Sequence, residues 1–498
     1  MKKIFSIFIL LLFIPYSYAQ EMLGLINSNY SGIYGIASNP ANMSGSKLYL
    51  DFNLLSVQTF FDNNYIYWDK DDLMTFLKTR ETPVYYTEEN EERSYSIFRD
   101  NESKNGFQDI KIIGPSAMVA YGEHAFAVTT GLRSMTSFKN LPADMAVFLY
   151  EAIDYQYLHD INFMHDKRIA TSSLAWAEVG FSYSYNFYRY KWDSWSAGIT
   201  IKPLIGLDAA YISIDNVDYK VHYDDSASVY NVAFEYGYSL PVDYEEGGYQ
   251  SSPLFKGFGL SADLGVTFSS MANGHSNILF TRLCEQQYED YNYKIGFSIL
   301  DLGYIKFNKN TAFYSYQDAS TEWYRPYDTI KANNLSEMSE KIAAFFIDEE
   351  NDGDPQDYMV LYLPTTASLQ ADVHLDRAWY LGANFYQPIP ISKRSIFRPS
   401  LISIAPRYET ARLEASMPVS MYNYDFSNIR LGFMFRYGNF FFGFDKLNIY
   451  LTNQKVTGID FYAGLRLNLS NTLRMNYIKG KCDRKKLRNI ETFDFRNF

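Results

Sequence analysis

From Val179 to Phe187 every second residue is large and apolar, and Gly180, Ser182, Ser184 and Asn186 stand between. Successive side chains of a strand point to opposite faces, so this run has one greasy face and one small, polar face. The period recurs along the chain. Phe258, Leu260, Ala262, Leu264, Val266 and Phe268 alternate with Gly259, Ser261, Asp263, Gly265 and Thr267. Ala367 to Leu375, Ile429 to Tyr437 and Ile459 to Leu469 repeat it. Each run is about ten residues long, the length a tilted strand needs to cross a bilayer. Beyond the N-terminus no apolar run is long enough for a membrane helix.

Soluble sandwiches also alternate, so other features must decide. The runs exceed the usual soluble strand of about 5–6 residues. The second face carries Asp, Arg and Gln among Gly and Ser, which suits a wet lumen. Aromatics reach 18% of the chain and gather at strand ends, as Phe187, Tyr188 and Tyr190 or Phe440, Phe441 and Phe442. An interfacial girdle has that placement. About fourteen strands fit, near 47–58, 112–121, 125–135, 174–190, 195–214, 257–270, 291–308, 366–376, 378–387, 399–408, 411–420, 428–437, 440–451 and 457–469. Most connections after even-numbered strands are tight turns; 271–290 is the exception. Long connections, near 59–111, 136–173, 215–256 and 309–365, follow odd-numbered strands. Short periplasmic turns opposite long outer loops are expected of an outer-membrane barrel.

The sequence therefore predicts an all-β protein, a transmembrane antiparallel β-barrel of about 14 strands with long extracellular loops. Two short helices fall in those loops, from Leu141 to Ile153 and from Asn334 to Phe346. They read as packing helices, or as caps on the barrel mouth.

Met1 to Ala19 reads as a cleaved signal peptide. Lys2 and Lys3 precede an apolar stretch, and Ser17-Tyr18-Ala19 supplies the small residues of a cleavage site. Residues 20–46 are rich in Gly, Asn and Ser but carry Leu23, Leu25, Ile26, Ile33, Tyr34 and Ile36. That is too apolar for a solvated leader. This segment is expected to fold back into the lumen as a hatch, with Asn39, Pro40 and Ala41 turning the chain into the first strand. The expected division is signal peptide 1–19, hatch 20–46, barrel 47–470 and basic periplasmic tail 471–498.

Ser31-Gly32-Ile33-Tyr34-Gly35 running into Ser38-Asn39-Pro40-Ala41-Asn42 resembles the N-terminal Asn-Pro-Ala motif of the long-chain fatty-acid transporter superfamily. It is also similar to barrels attached to the type IX secretion system. More closely, the chain resembles an uncharacterised family of Gram-negative outer-membrane barrels. The segments 298–307 (Ser298 to Phe307), Leu363-Pro364-Thr365-Thr366 and Gly443 to Leu447 carry that likeness. The resemblance implies a fourteen-stranded barrel with a lumenal hatch that binds or passes hydrophobic small molecules. The rival is a non-transporting structural or adaptor barrel for type IX secretion or surface attachment.

Partners expected on this reading are outer-membrane lipids, a hydrophobic ligand and a secretion or surface protein. A net charge of −12 argues against nucleic acid. No enzyme, cofactor or metal centre is expected. His159-Asp160 and His165-Asp166 match no closed zinc spacing and read as exposed loop histidines. Ser368, Asp372 and His374 share a face, but Ser368 and His374 are too far apart on one strand to react together. Asp348, Glu350 and Asp352 resemble half of a calcium loop, but Met359 stands where the bidentate Glu belongs. Cys284 and Cys482 are read either as a periplasmic disulfide or as two free thiols. Lumen-facing candidates are Ser182, Ser184, Ser261, Asp263, Gln370, Asp372, Arg430, Arg436 and Arg466.

Overall fold

A computed structural model describes residues 21–69, 92–151, 155–223, 226–239, 253–273, 288, 290–324, 356–447 and 455–470, with 75, 85–86, 242–243 and 250–251. The expected signal peptide, the helix expected at 334–346, the weak calcium candidates Asp348, Glu350 and Asp352, both cysteines and the expected tail 471–498 lie outside the described residues.

One antiparallel sheet of 21 strand segments organises the chain. In chain order these are β1 (Leu48–Asn63), β2 (Lys104–Ile113), β3 (Ser116–Tyr121), β4 (His124–Leu141), β5 (Asn162–His165), β6 (Ile169–Tyr190) and β7 (Asp193–Val221). Then come β8 (Ser226–Ser239), β9 (Gly257–Met271), β10 (Tyr291–Phe307), β11 (Thr311–Tyr324), β12 (Met359–Tyr362), β13 (Thr366–Asp376) and β14 (Trp379–Pro388). The last are β15 (Leu401–Glu409), β16 (Leu413–Ser416), β17 (Val419–Tyr422), β18 (Arg430–Leu431), β19 (Phe433–Tyr437), β20 (Phe440–Phe444) and β21 (Gly458–Ser470).

The sheet closes on itself, because β1 pairs with β21 on one side and with β2 and β3 on the other. Three wall strands are each broken in two: β2 with β3 at Gly114-Pro115, β16 with β17 at Met417-Pro418, and β18 with β19 at Gly432. Proline has no N–H to give the ladder, which accounts for the first two breaks. Counting each broken strand once, and leaving out β5, β8, β11 and β12, gives a closed barrel of fourteen antiparallel strands.

The wall's outer face is apolar. Phe181, Ile201, Leu260, Phe297, Leu369 and Leu465 are all exposed. Their neighbours in each strand are buried on the inner side. An exposed apolar surface that encircles the molecule exceeds what a protein in water tolerates. A closed barrel leaves no unpaired edge and can carry that surface across a bilayer.

Four segments leave the ring. β7 is 29 residues long, against the roughly ten that span a membrane. Its Ala209–Val221 portion pairs with β8, and β8 pairs with β11. β5 pairs with β7, and β12 with the end of β10. The long connections expected at 215–256 and 309–365 therefore contain strands. Helix α2 (Ala143–Glu151) packs Phe148 into a separate core with Val217, Tyr219, Val232 and Tyr316. It falls inside the expected 141–153. One aromatic expectation and one strand boundary are corrected. Phe441 is fully buried, 4.9 Å from Tyr34, and so belongs to the interior. Strand β20 stops at Phe444, not at 451.

Candidate functional site

Residues 21–47 lie within the ring, and nearly all are buried. Met22, Leu23, Leu25 and Ile26 join the apolar core of the lumen. The backbone turns on itself, with Ile26 N donating to Met22 O at 3.1 Å and Ser28 N to Leu25 O at 2.9 Å. A single helical turn, α1 (Ile33–Ile36), follows Gly32 at φ +55°. The Asp51 carboxylate accepts from Ile33 N at 3.0 Å. A Cβ on Gly32 would sit 2.0 Å from that carboxylate oxygen, so glycine is required there twice over.

Asn39 caps a 3₁₀ turn, Pro40–Met43, its side-chain oxygen accepting from Ala41 N at 2.9 Å. Proline at the first position fits, because its missing N–H would have no partner there. The Asn39 amide nitrogen faces Val266 O at 3.1 Å and Gln370 Oε1 at 3.0 Å. It lies 3.3 Å from Thr267 Oγ1 and 3.4 Å from Phe297 O. The wall is dented to receive this turn. Gly198 of β7 pairs across the ladder with Gly265 of β9, and Gly296 of β10 lies opposite Thr267. A Cβ on Gly198 would stand 2.4 Å from Ala41 N, and one on Gly296 would stand 2.8 Å from Asn39 Nδ2.

On the other side of the lumen the segment meets charge. Leu23 N donates to Asp445 at 3.1 Å, Ser28 Oγ to Glu414 at 2.9 Å and Asn29 N to Glu409 at 3.1 Å. Arg466 donates to Ser31 O at 3.1 Å. Two of these acids are themselves paired. Glu409 takes Lys47 and Arg407 at 3.0 Å each, and Glu414 takes Arg436 at 2.8 Å. A second network links Arg133 to Asp301 at 2.9 Å, and Lys202 to Asp263 at 2.7 Å and Asp301 at 2.8 Å. Charges this deeply buried stay ionised only when paired.

The nine lumen-facing candidates are all buried. Ser184 donates to Ala41 O at 3.1 Å, and Gln370 to Ser38 O at 3.1 Å. Arg466 also reaches the segment, as given above, and Arg436 stacks 4.7 Å from the Tyr30 ring centroid. Ser182 bonds Thr200 at 2.8 Å, Asp263 takes Lys202, Asp372 takes Arg407 at 3.0 Å, and Arg430 takes Asp62 at 2.6 Å. Ser261 lies in the same wall, and its hydroxyl makes no hydrogen bond. Sequence reading missed Lys47, Asp109, Arg133, Lys202, Asp301, Arg407, Glu409 and Glu414. For Arg133, Lys202 and Arg407 the signal was available: a charge on the small-residue face of an alternating strand.

The loop histidines need correction. His159 is buried, and His165 Nε2 lies 3.0 Å from Asp144 of α2. Among the described residues no three His, Cys, Asp or Glu side chains are placed to hold a metal. His374 stacks on Tyr380 at 4.4 Å and bonds Arg377 O at 3.0 Å.

Apolar packing fills much of the lumen. Phe60, Phe107, Trp176, Phe307, Met359, Leu361 and Leu401 form one buried cluster with Met22, Leu25 and Ile26. Beside the segment lies a small, partly enclosed cavity that opens to a mouth. Its apolar lining is Met22, Ile26, Ile113 and Leu300, and its polar lining includes Asp109, Lys111, Arg133 and Arg398.

A family model described as "Family of unknown function (DUF5723)" matches residues 40–445. No curated protein matches the chain. Among solved structures it is similar to "TodX deltaS2S3 mutant monoaromatic hydrocarbon channel", with TM-score 0.40 and 10% identity over 89% of this chain and 95% of that one. For "CymD monoaromatic hydrocarbon channel" the values are 0.32 and 8%, over 91% and 98%. For a Pseudomonas aeruginosa FadL homologue they are 0.31 and 10%, over 91% and 98%.

Proposed function

The chain belongs to the DUF5723 family of unknown function, and we propose that it is an outer-membrane barrel that binds or passes hydrophobic small molecules. Residues 20–46 are its hatch. The observation that supports this reading is the buried apolar cluster that runs from Met22 and Ile26 within the ring through Trp176 and Phe307 to Met359 and Leu361 of β12. A water-filled pore has a polar lining. An interior of this kind instead offers contacts to apolar cargo and excludes ions. The hatch is held by hydrogen bonds, packing and the ion pair of Glu21 with Arg398, so it can shift without breaking a covalent bond. The test is purification of the full chain from outer membranes in mild detergent, followed by mass spectrometry of what it retains. A stoichiometric lipid or hydrocarbon supports the reading. Absence of any apolar ligand, with no uptake of one by vesicles carrying the barrel, defeats it.

One observation favours the adaptor reading instead. The structure outside the ring exposes Tyr157 at 75%, Met164 at 69% and Tyr223 at 64%. Aromatic and methionine side chains of that kind mark protein contacts. Retention of a protein in place of a lipid would decide for an adaptor of secretion or surface attachment.

A further inference from the structure

The cavity beside Met22 and Ile26 is lined by groups that are not all satisfied. Asp109 is 3% exposed and its Oδ1 has no hydrogen-bond partner. Arg133 and Arg398, 5% and 2% exposed, each leave Nε without one. Lys111 on β2 lines the same cavity and forms no ion pair or hydrogen bond among the described residues. A buried polar atom without a protein partner is costly, and three around one cavity are groups that a bound polar ligand can satisfy.

The balance of charge narrows what that group is. Four cations stand here: Lys111, Arg133, Lys202 and Arg398. Five carboxylates answer them: Glu21, Asp109 and Asp301 in the lining, Glu178 at 3.9 Å from Arg133, and Asp263 at 2.7 Å from Lys202. A lone anion would enter a site already negative by one charge and would leave Asp109 Oδ1 without a donor. A lone cation would leave Lys111 and the two arginine Nε atoms without an acceptor. A neutral alkyl chain would satisfy none of them.

We propose that this cavity takes the head of a zwitterionic amphiphile. Its ammonium group donates to Asp109, and its acidic group accepts from Lys111, Arg133 and Arg398. Its apolar tail runs along Met22, Ile26, Ile113 and Leu300, which belong to the lumen's apolar cluster. The proposal rests on the hydrophobic-ligand reading above and deepens it, since it assigns the cargo a head as well as a tail.

The test compares three probes with one alkyl length on the full chain in nonionic detergent, by calorimetry: 2-aminododecanoate, dodecanoate and 1-dodecanol. The expected result is that 2-aminododecanoate binds about tenfold more tightly than dodecanoate, the ratio one charge-assisted hydrogen bond supplies. Asp109→Asn should abolish that preference by weakening the amino acid alone. Lys111→Met should weaken both acids relative to dodecanol. Each variant supplies its own ratio, and heat-modifiable gel migration shows that it has folded. Dodecanoate binding as tightly as the amino acid in the unaltered chain, or an unchanged ratio in Asp109→Asn, overturns the proposal while the hydrophobic-ligand reading stands. Failure of all three probes to bind overturns both.

Discussion

The side-chain oxygen of Asn39 occupies the place a Cβ would take on Gly265: the two would be 2.1 Å apart. Plug and wall are therefore shaped to each other at a single atom. Gly265→Ala should unseat the turn, and Asn39→Ala should leave Gln370 and the Val266 carbonyl short of a donor, at a cost of about 1–3 kcal/mol. Thermal unfolding in detergent, followed by loss of heat-modifiable migration, should show both variants below the parent. An unchanged midpoint in both would mean that the dent does not hold the segment.

Removal of Met22 to Asn42, with the leader kept, should still give an inserted barrel. The ring closes through wall-to-wall pairs, β1 with β21 among them. Its permeability to small solutes, or its loading with apolar ligand, should rise or change. If it inserts and both stay as in the parent, the segment is a linker and the hatch reading falls.

The two faces of β9 should respond differently to charge. Leu264 is 42% exposed on the outer side and Ser261 is 1% exposed on the inner side. Leu264→Arg should cost about 2–4 kcal/mol if it lies near the bilayer midplane. Arg at Ser261 meets a packed lumen that already pairs its charges. Its effect should appear as an altered lumen, read by permeability, while insertion proceeds. A failure of both variants to insert would contradict the assignment of faces.

Sidedness follows from the turns. An epitope tag beside Tyr157, in the structure outside the ring, should react on intact cells. One in the Gly438-Asn439 turn should react only after the outer membrane is permeabilised. The reverse pattern would invert the barrel.

The wall was legible because burial on one side of a strand writes itself as a period of two. Val179 to Phe187 and Phe258 to Phe268 needed nothing else. The strands outside the ring were not legible. β8 and β11 pack partly against α2 and partly against each other, so their faces lack a uniform contrast between lipid and lumen. Val232 and Ala233, adjacent in β8, are both buried. The burial of Leu23, Leu25 and Ile33 was foreshadowed by their apolarity, but the groups that receive the segment were hidden. Asp445 and Glu409 lie about four hundred residues along the chain from Leu23 and Asn29, and only ring closure brings them there. The Asp109–Lys111 pocket was missed because two charges in one strand look like a solvated loop end until the opposite wall is known.

The closing pair of the wall joins its earliest strand to its latest, Leu48 beside Ser470 and Phe61 beside Ile459. The chain leaves the interior at Lys47 and enters β1 directly. Among the described residues the N-terminal segment thus precedes the whole wall, and the seam beside it needs the strand that comes latest. While the sheet is still open its inner face is reachable from the side; once β1 meets β21, only the two mouths remain. The N-terminal segment is either laid against the wall before the seam forms or enters by a mouth, and after closure it cannot be exchanged sideways with a neighbour's.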